Sequence, residues 1–236
     1  VLRTFLAGLV LLTTPIVGGK DADQPYVFMV SVQQADGEHF CGGSLVKPEW
    51  VLTAAHCVQN NPPGDMRIRA GSNELAKGGE ILPVSKVVVH SGFDGVKPGN
   101  DIALLRLALP AKSAPIPIAA APPGTVTRLL GWGQTCPQLG QCGPAPVLQQ
   151  LDTQVIAVGR CLDIDGALEL CTDSPGSVSG ACYGDSGGPQ IVKDGTQWRL
   201  AGLTSRSGND SSVCGSGPSI YTNVFAYTDW ITQQTM

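Results

Sequence analysis

Ser186 lies in the run Gly184-Asp185-Ser186-Gly187-Gly188-Pro189. A serine that attacks a carbonyl needs its hydroxyl on a tight, exposed turn, with backbone N–H groups aimed at the place where negative charge develops. The flanking glycines permit such a turn. The same residues fit the looser G-x-S-x-G pattern of α/β-hydrolases, in which the order along the chain is serine, acid, histidine. That order fails here, because His39, His56 and His90 are the only histidines and all precede Ser186. The base must come from upstream. His56 lies in Thr53-Ala54-Ala55-His56-Cys57, where small residues and a neighbouring cysteine allow a short tethered turn. A third member must accept from the imidazole and fix its tautomer. Asp101 opens the apolar run Ile102-Ala103-Leu104-Leu105, which places a carboxylate at a strand start, partly out of water.

Singly, a histidine beside a cysteine reads as structural and an aspartate before a strand as a turn residue. Together, in the order His56, Asp101, Ser186, they specify nucleophilic acyl transfer. The elements that hold them are written in the composition. Charged residues make up 14% of the 236, and the 30 glycines and 18 prolines are about a fifth of the chain, which suits many turns and few long helices. A formal net charge of −4 is too weak and of the wrong sign to attract a polyphosphate, which argues against nucleic acid as a partner.

Runs rich in β-branched and aromatic residues recur between turn signals at 26–32, 66–70, 84–90, 101–107, 125–132, 148–157 and 198–205. In the first, Phe28, Val30 and Val32 alternate with Met29 and Ser31, the period of a half-buried strand. The pattern predicts an all-β sandwich or barrel. Between Pro110 and Gly124 five prolines mark a connector, which predicts a first unit over 16–118 carrying His56 and Asp101 and a second over 119–236 carrying Ser186. Val224, Tyr227, Trp230 and Ile231 recur every three to four residues, which predicts a terminal helix docked on the second unit. Eight cysteines without paired CxxC spacing point to disulfides and an oxidising compartment. Residues 1–15, with Arg3 followed by an apolar run from Phe5 to Leu12, read as an export segment that is removed, since the run is far short of the roughly 20 residues needed to span a bilayer.

These residues, with Ile16-Val17-Gly18-Gly19, Cys41-Gly42-Gly43-Ser44-Leu45, Gly131-Trp132-Gly133 and the segment Pro218 to Val224, resemble the chymotrypsin-fold, trypsin-like serine proteases across 16–236. The resemblance implies two antiparallel six-stranded barrels with a C-terminal helix and the cleft between them. It implies a secreted endopeptidase in which Ser186 attacks, His56 relays the proton, Asp101 steadies the imidazolium, and the N–H groups of Gly184 and Ser186 form the oxyanion hole. Protein or peptide substrates and protein protease inhibitors are the implied partners of a monomer without membrane anchor, metal or cofactor. A catalytically inactive binding protein of the same fold is the alternative. A subtilisin-like order would have to recruit Asp21, Asp23 or Asp36 and leaves the segments at Asp101 and Ile16 unexplained.

The resemblance carries further expectations. Release of residues 1–15 frees the amine of Ile16 to pair with Asp185. Cys41 pairs with Cys57, Cys161 with Cys171 and Cys182 with Cys214, which leaves Cys136 for Cys142, a pair outside the common family pattern. In the loop where animal trypsins hold calcium, Ser72 stands in place of a glutamate, and only Glu74 and Glu80 remain. The substrate-binding residues are Gly180, Tyr183, Ser205, Arg206, Ser207 and Ser219. Gly180 stands where trypsins have aspartate, so cleavage after medium apolar residues such as Leu or Met is expected and cleavage after Lys or Arg is not; Asp173 and Asp210 are the acids that could alter this. Arg206 replaces the family's tryptophan, and either draws acidic residues upstream of the cut or points to solvent. Asn209-Asp210-Ser211 matches a glycosylation acceptor.

Overall fold

The computed structural model describes residues 15–95 and 97–236; the export segment expected over 1–15 lies outside them except for Pro15. Thirteen strands follow in order: β1 (Lys20–Asp21), β2 (Met29–Gln34), β3 (His39–Lys47), β4 (Trp50–Thr53), β5 (Met66–Ala70), β6 (Glu80–Val89), β7 (Ala103–Leu107), β8 (Val126–Gly131), β9 (Gln149–Ile156), β10 (Glu169–Thr172), β11 (Pro189–Asp194), β12 (Gln197–Ser207) and β13 (Ser219–Asn223). β2 to β7 close into one antiparallel barrel in the order 2-3-4-7-6-5. The rest form a sheet ordered 1-9-10-13-12-11-8 that closes through β8 on β9, so that six strands make a second barrel and β1 rests outside it on β9.

Alternation builds these strands where one face is wet. In β5, Met66, Ile68 and Ala70 are buried and Arg67 and Arg69 look outward. β4 and β10 are buried at every position, which removes the period-2 signal and explains why the sequence pattern passes over them. Val30, Val32, Leu45, Val51, Ile68 and Leu105 fill the first barrel, and Leu129, Leu151, Val155, Ala201 and Tyr221 the second. A third cluster, with Phe28, Trp50, Leu104, Trp132, Leu200 and Val224, joins the two. Burial of this kind stabilises by about 25 cal/mol per Å² of apolar surface, so the two barrels are welded and not merely tethered.

The connector between Pro110 and Gly124 carries no strand, and it stitches both barrels with Ile116 N–H on Leu45 O and Ala119 N–H on Leu200 O. The C-terminal stripe forms a 3-10 turn over Val224–Tyr227 and a helix over Thr228–Gln234. Val224, Tyr227 and Ile231 are buried as the spacing predicts. Docking on the second unit is too narrow a description, because the rings of Tyr227 and Trp230 also close on His90 of the first barrel, at 5.3 and 5.2 Å between centroids.

Candidate active site

His56 lies in the short helix Ala55–Val58 that follows β4. One turn of helix is unstable alone; here the disulfide between Cys41 and Cys57 pins it to β3. Asp101 grips it twice. Its Oδ1 accepts the His56 backbone N–H at 2.9 Å, and its Oδ2 lies 2.7 Å from Nδ1. A carboxylate only accepts, so Nδ1 carries a proton toward Asp101, and Nε2, 3.7 Å from Cys57 Sγ, is the ring nitrogen that Asp101 does not engage. The Asp101 carboxyl is nearly buried and the His56 side chain about one-third exposed. Burial alone would push the Asp101 pKa up, but the hydrogen bonds and charge of His56, with the Ser205 hydroxyl at 2.6 Å, hold it below the usual carboxylate range. Asn100, in the left-handed region at φ 59°, makes the turn into Asp101 and donates its N–H to the Tyr227 hydroxyl at 2.8 Å.

Ser186 belongs to a loop fixed from beneath. Asp185 is buried and accepts N–H groups from Gly133 at 2.8 Å and Cys182 at 2.9 Å. A Cβ on Gly133 would fall 2.5 Å from the Asp185 carboxyl carbon, which explains the glycine in Gly131-Trp132-Gly133. Burial pushes the Asp185 carboxyl up to about 7 against the pull of those two N–H donors. Beyond the serine, Gly187 takes φ +72°, and a Cβ there would lie 2.2 Å from Thr53 Oγ1 and 2.7 Å from Gly42 O. Gly42 N–H donates to Ser186 O at 2.8 Å, and Thr53 donates to Gly42 O at 2.8 Å. The loop of Ser186 therefore touches the strands leading to His56 main chain to main chain.

Among the described residues the N–H groups of Gly184 and Ser186 have no acceptor. The Gly184 carbonyl is anchored by His39 Nε2 at 3.0 Å. A carbonyl only accepts, so that nitrogen holds the proton, and Nδ1 accepts from the Ser31 hydroxyl at 2.8 Å. Burial lowers the His39 pKa to about 4, outweighing its bond to Gly184, and keeps the ring neutral. Ile16 is buried in the second barrel's core, and the chain after it is bridged to Gly180, whose N–H donates to Val17 O at 2.9 Å. Asp185 holds the two backbone N–H groups named above, and the nitrogen of Ile16 is a peptide nitrogen following Pro15.

Tyr183, Ser205, Arg206, Ser207 and Ser219 line one cavity with Ser186, of about 160 Å³, room for a single side chain where whole-ligand pockets run to several hundred. Gly180 stands behind its wall; a Cβ there would lie 3.8 Å from Ser219 Oγ. Among the described residues no carboxylate lines this cavity. Asp210 faces a neighbouring cavity, which His56 and Asp101 also line and which shares Ser205 and Arg206 with the first. Arg206 is bound, not free: its guanidinium lies on the buried carboxylate of Glu169. All four expected disulfides are present, Cys136 with Cys142 included.

Sequence reading missed Ser205 as a partner of Asp101, His39 as the anchor of Gly184, and Glu169. The first two sit next to or inside quoted motifs and could have been suspected from polarity in an apolar context. Glu169 becomes visible only when three distant segments cross.

A sequence profile described as Trypsin matches residues 16–231. A trypsin of Saccharopolyspora erythraea is 34% identical over 230 residues, which cover 93% of this chain and 97% of that protein. A tryptase of Mus musculus is 34% identical over 242 residues, covering 92% of this chain and 87% of its own length. The chain belongs to the trypsin family of chymotrypsin-fold serine proteases, and it is a serine endopeptidase.

Proposed function

We propose that the protein hydrolyses peptide bonds through His56, Asp101 and Ser186 by way of an acyl-enzyme. His56 Nε2 takes the Ser186 proton as the hydroxyl attacks and returns it to the leaving amine, while Asp101 offsets the charge that forms on the ring. The unpaired N–H groups of Gly184 and Ser186 receive the developing oxyanion, where a single donor is worth about 2.7–4 kcal/mol. The observation that carries this reading is the two-point grip of Asp101 on His56, which leaves Nε2, whose one polar contact among the described residues is Cys57 Sγ at 3.7 Å, to act as the base. A fluorophosphonate probe tests it: labelling of Ser186 that is lost in His56→Ala supports the relay, and an unlabelled wild type would leave the inactive binding protein of the same fold.

Cleavage follows medium apolar residues such as Leu or Met, and not Lys or Arg. Support comes from the side-chain-sized cavity beside Ser186, which offers serine hydroxyls and no carboxylate to a buried cation. Ranking Leu, Phe, Ala and Arg peptides by kcat/KM checks this, and an Arg peptide in first place overturns it. The enzyme works outside the cell, as four disulfides favour, and no helix among the described residues is long and apolar enough to cross a membrane. Activation frees the amine of Ile16, which then pairs with Asp185.

A further inference from the structure

Arg206 forms the wall shared by the two cavities that meet at Ser205. An arginine at that place, beside a peptide lying in the cleft, would draw acidic side chains if its charge were free. It is not free. Its Nη1 and Nη2 donate to the two oxygens of Glu169 at 2.5 and 3.0 Å, and Nη2 also donates to the Asp163 carbonyl at 2.6 Å. Arg206 is 36% exposed and Glu169 not at all, so the charge facing the cleft is balanced from inside the protein. The balance is rigid. Glu169 Oε1 also accepts Gly99 N–H and Oε2 accepts Asp165 N–H, both at 2.9 Å. A carboxylate has about four acceptor positions, and here all four are filled, by donors from three segments. Lys97, the other cation of the second cavity, is paired with Asp94. Asp163 and Asp210 are exposed at the rim of that cavity and leave its field negative.

We propose that Glu169 is a specificity-determining residue acting through Arg206. By holding the guanidinium in a bidentate pair it converts a cation on the cleft wall into a neutral planar surface, and peptides with acidic residues two to four positions upstream of the cut are disfavoured. The inference rests on the peptidase reading above.

Three peptides that share one cleavable bond and differ only in carrying Glu, Gln or Lys at the second and third upstream positions test it. In the wild type the Glu peptide has the lowest kcat/KM, about fivefold below Gln at low salt, and the gap narrows as salt is added. Glu169→Gln unbalances Arg206 and reverses the order of Glu and Gln. The double variant Glu169→Gln with Arg206→Gln removes both charges, leaves the negative field of Asp163 and Asp210 in place, and returns the wild-type order with the Glu peptide below the Gln peptide. A wild type that prefers the Glu peptide overturns the proposal, as does a folded, probe-labelled Glu169→Gln with an unchanged ratio. Should that variant fail to fold, the wild-type series at two salt concentrations decides alone. Absence of all cleavage together with absence of fluorophosphonate labelling is the failure of the peptidase reading, and this inference falls with it; a wrong charge order among peptides that are cleaved counts against this inference only.

Discussion

Ser205 and His56 address the same oxygen of Asp101, the hydroxyl at 2.6 Å and the ring nitrogen at 2.7 Å. The aspartate is thereby held in one rotamer by both barrels at once. Ser205→Ala removes a hydrogen bond to a charged group, worth about 1.5–3 kcal/mol, and kcat is expected to fall about tenfold or more, equivalent to roughly 1.4 kcal/mol in the barrier. The pH dependence carries the same sign. Asp101 is held below its ordinary pKa, so its contribution to stability is present above the unfolded value of about 3.9 and is lost as pH falls through the folded value. With one donor fewer, the acid-unfolding midpoint followed by circular dichroism moves to higher pH.

Asp185 gives the opposite dependence. Its folded pKa is raised to about 7, so the folded chain binds a proton more tightly than the unfolded chain, and stability falls as pH rises from about 4 to about 7. The chain carrying residues 1–15 is expected to have a lower Tm at pH 8 than at pH 5. A form beginning at Ile16 supplies an ammonium partner and loses less over the same range, and Asp185→Asn in the longer form flattens the curve. Scanning calorimetry of the three proteins at both pH values is the check.

His39→Ala releases the Gly184 carbonyl and lets the turn carrying the two unpaired N–H groups relax. The expected result is a fall in kcat of about tenfold or more, on the scale of a weakened oxyanion donor, with KM little changed. Because His39 is neutral down to about pH 4, the wild-type profile between pH 5 and 8 carries no step from this ring, and steady-state kinetics of the variant show the same limbs at lower height.

Calcium is expected to leave the melting temperature unchanged. Glu80 Oε1 accepts the backbone N–H groups of Lys112 and Ser113 at 2.8 and 3.3 Å, and Glu74 pairs with Lys77 at 3.4 Å. Both acids of the loop are engaged elsewhere, and a hard cation needs six to eight oxygens. A rise of several degrees on adding calcium chloride, reversed by a chelator, would show that the loop rearranges to bind it.

What could be read from the chain was whatever repeats with a fixed period or sits within a short motif. β5 and β9 alternate, and His56, Asp101 and Ser186 each lie in a compact run, so strands and candidate triad were legible together. β3 was hidden by the glycines that let it approach the loop of Ser186, and β4 and β10 by burial on both faces. Arg206 was singled out as an exception to the family pattern, but its partner was not, because Glu169 is 37 residues away and reaches it only through the folded crossing of three segments. The contact of the C-terminal helix with His90 was likewise a tertiary event with no local signature.

The seam at which Gly187 rests on Thr53 and Gly42 bears on inheritance. Where two halves are aligned by peptide groups, the alignment does not depend on which side chains coat either half, provided that a few positions stay bare. Lineages can then exchange nearly everything on the outside without losing the register between Ser186 and His56. A chain that shares 34% of its residues with a bacterial and a mouse relative illustrates how much turnover such a seam can tolerate. The vulnerable letters are the small ones: adding a single methyl at Gly187 would push the halves apart.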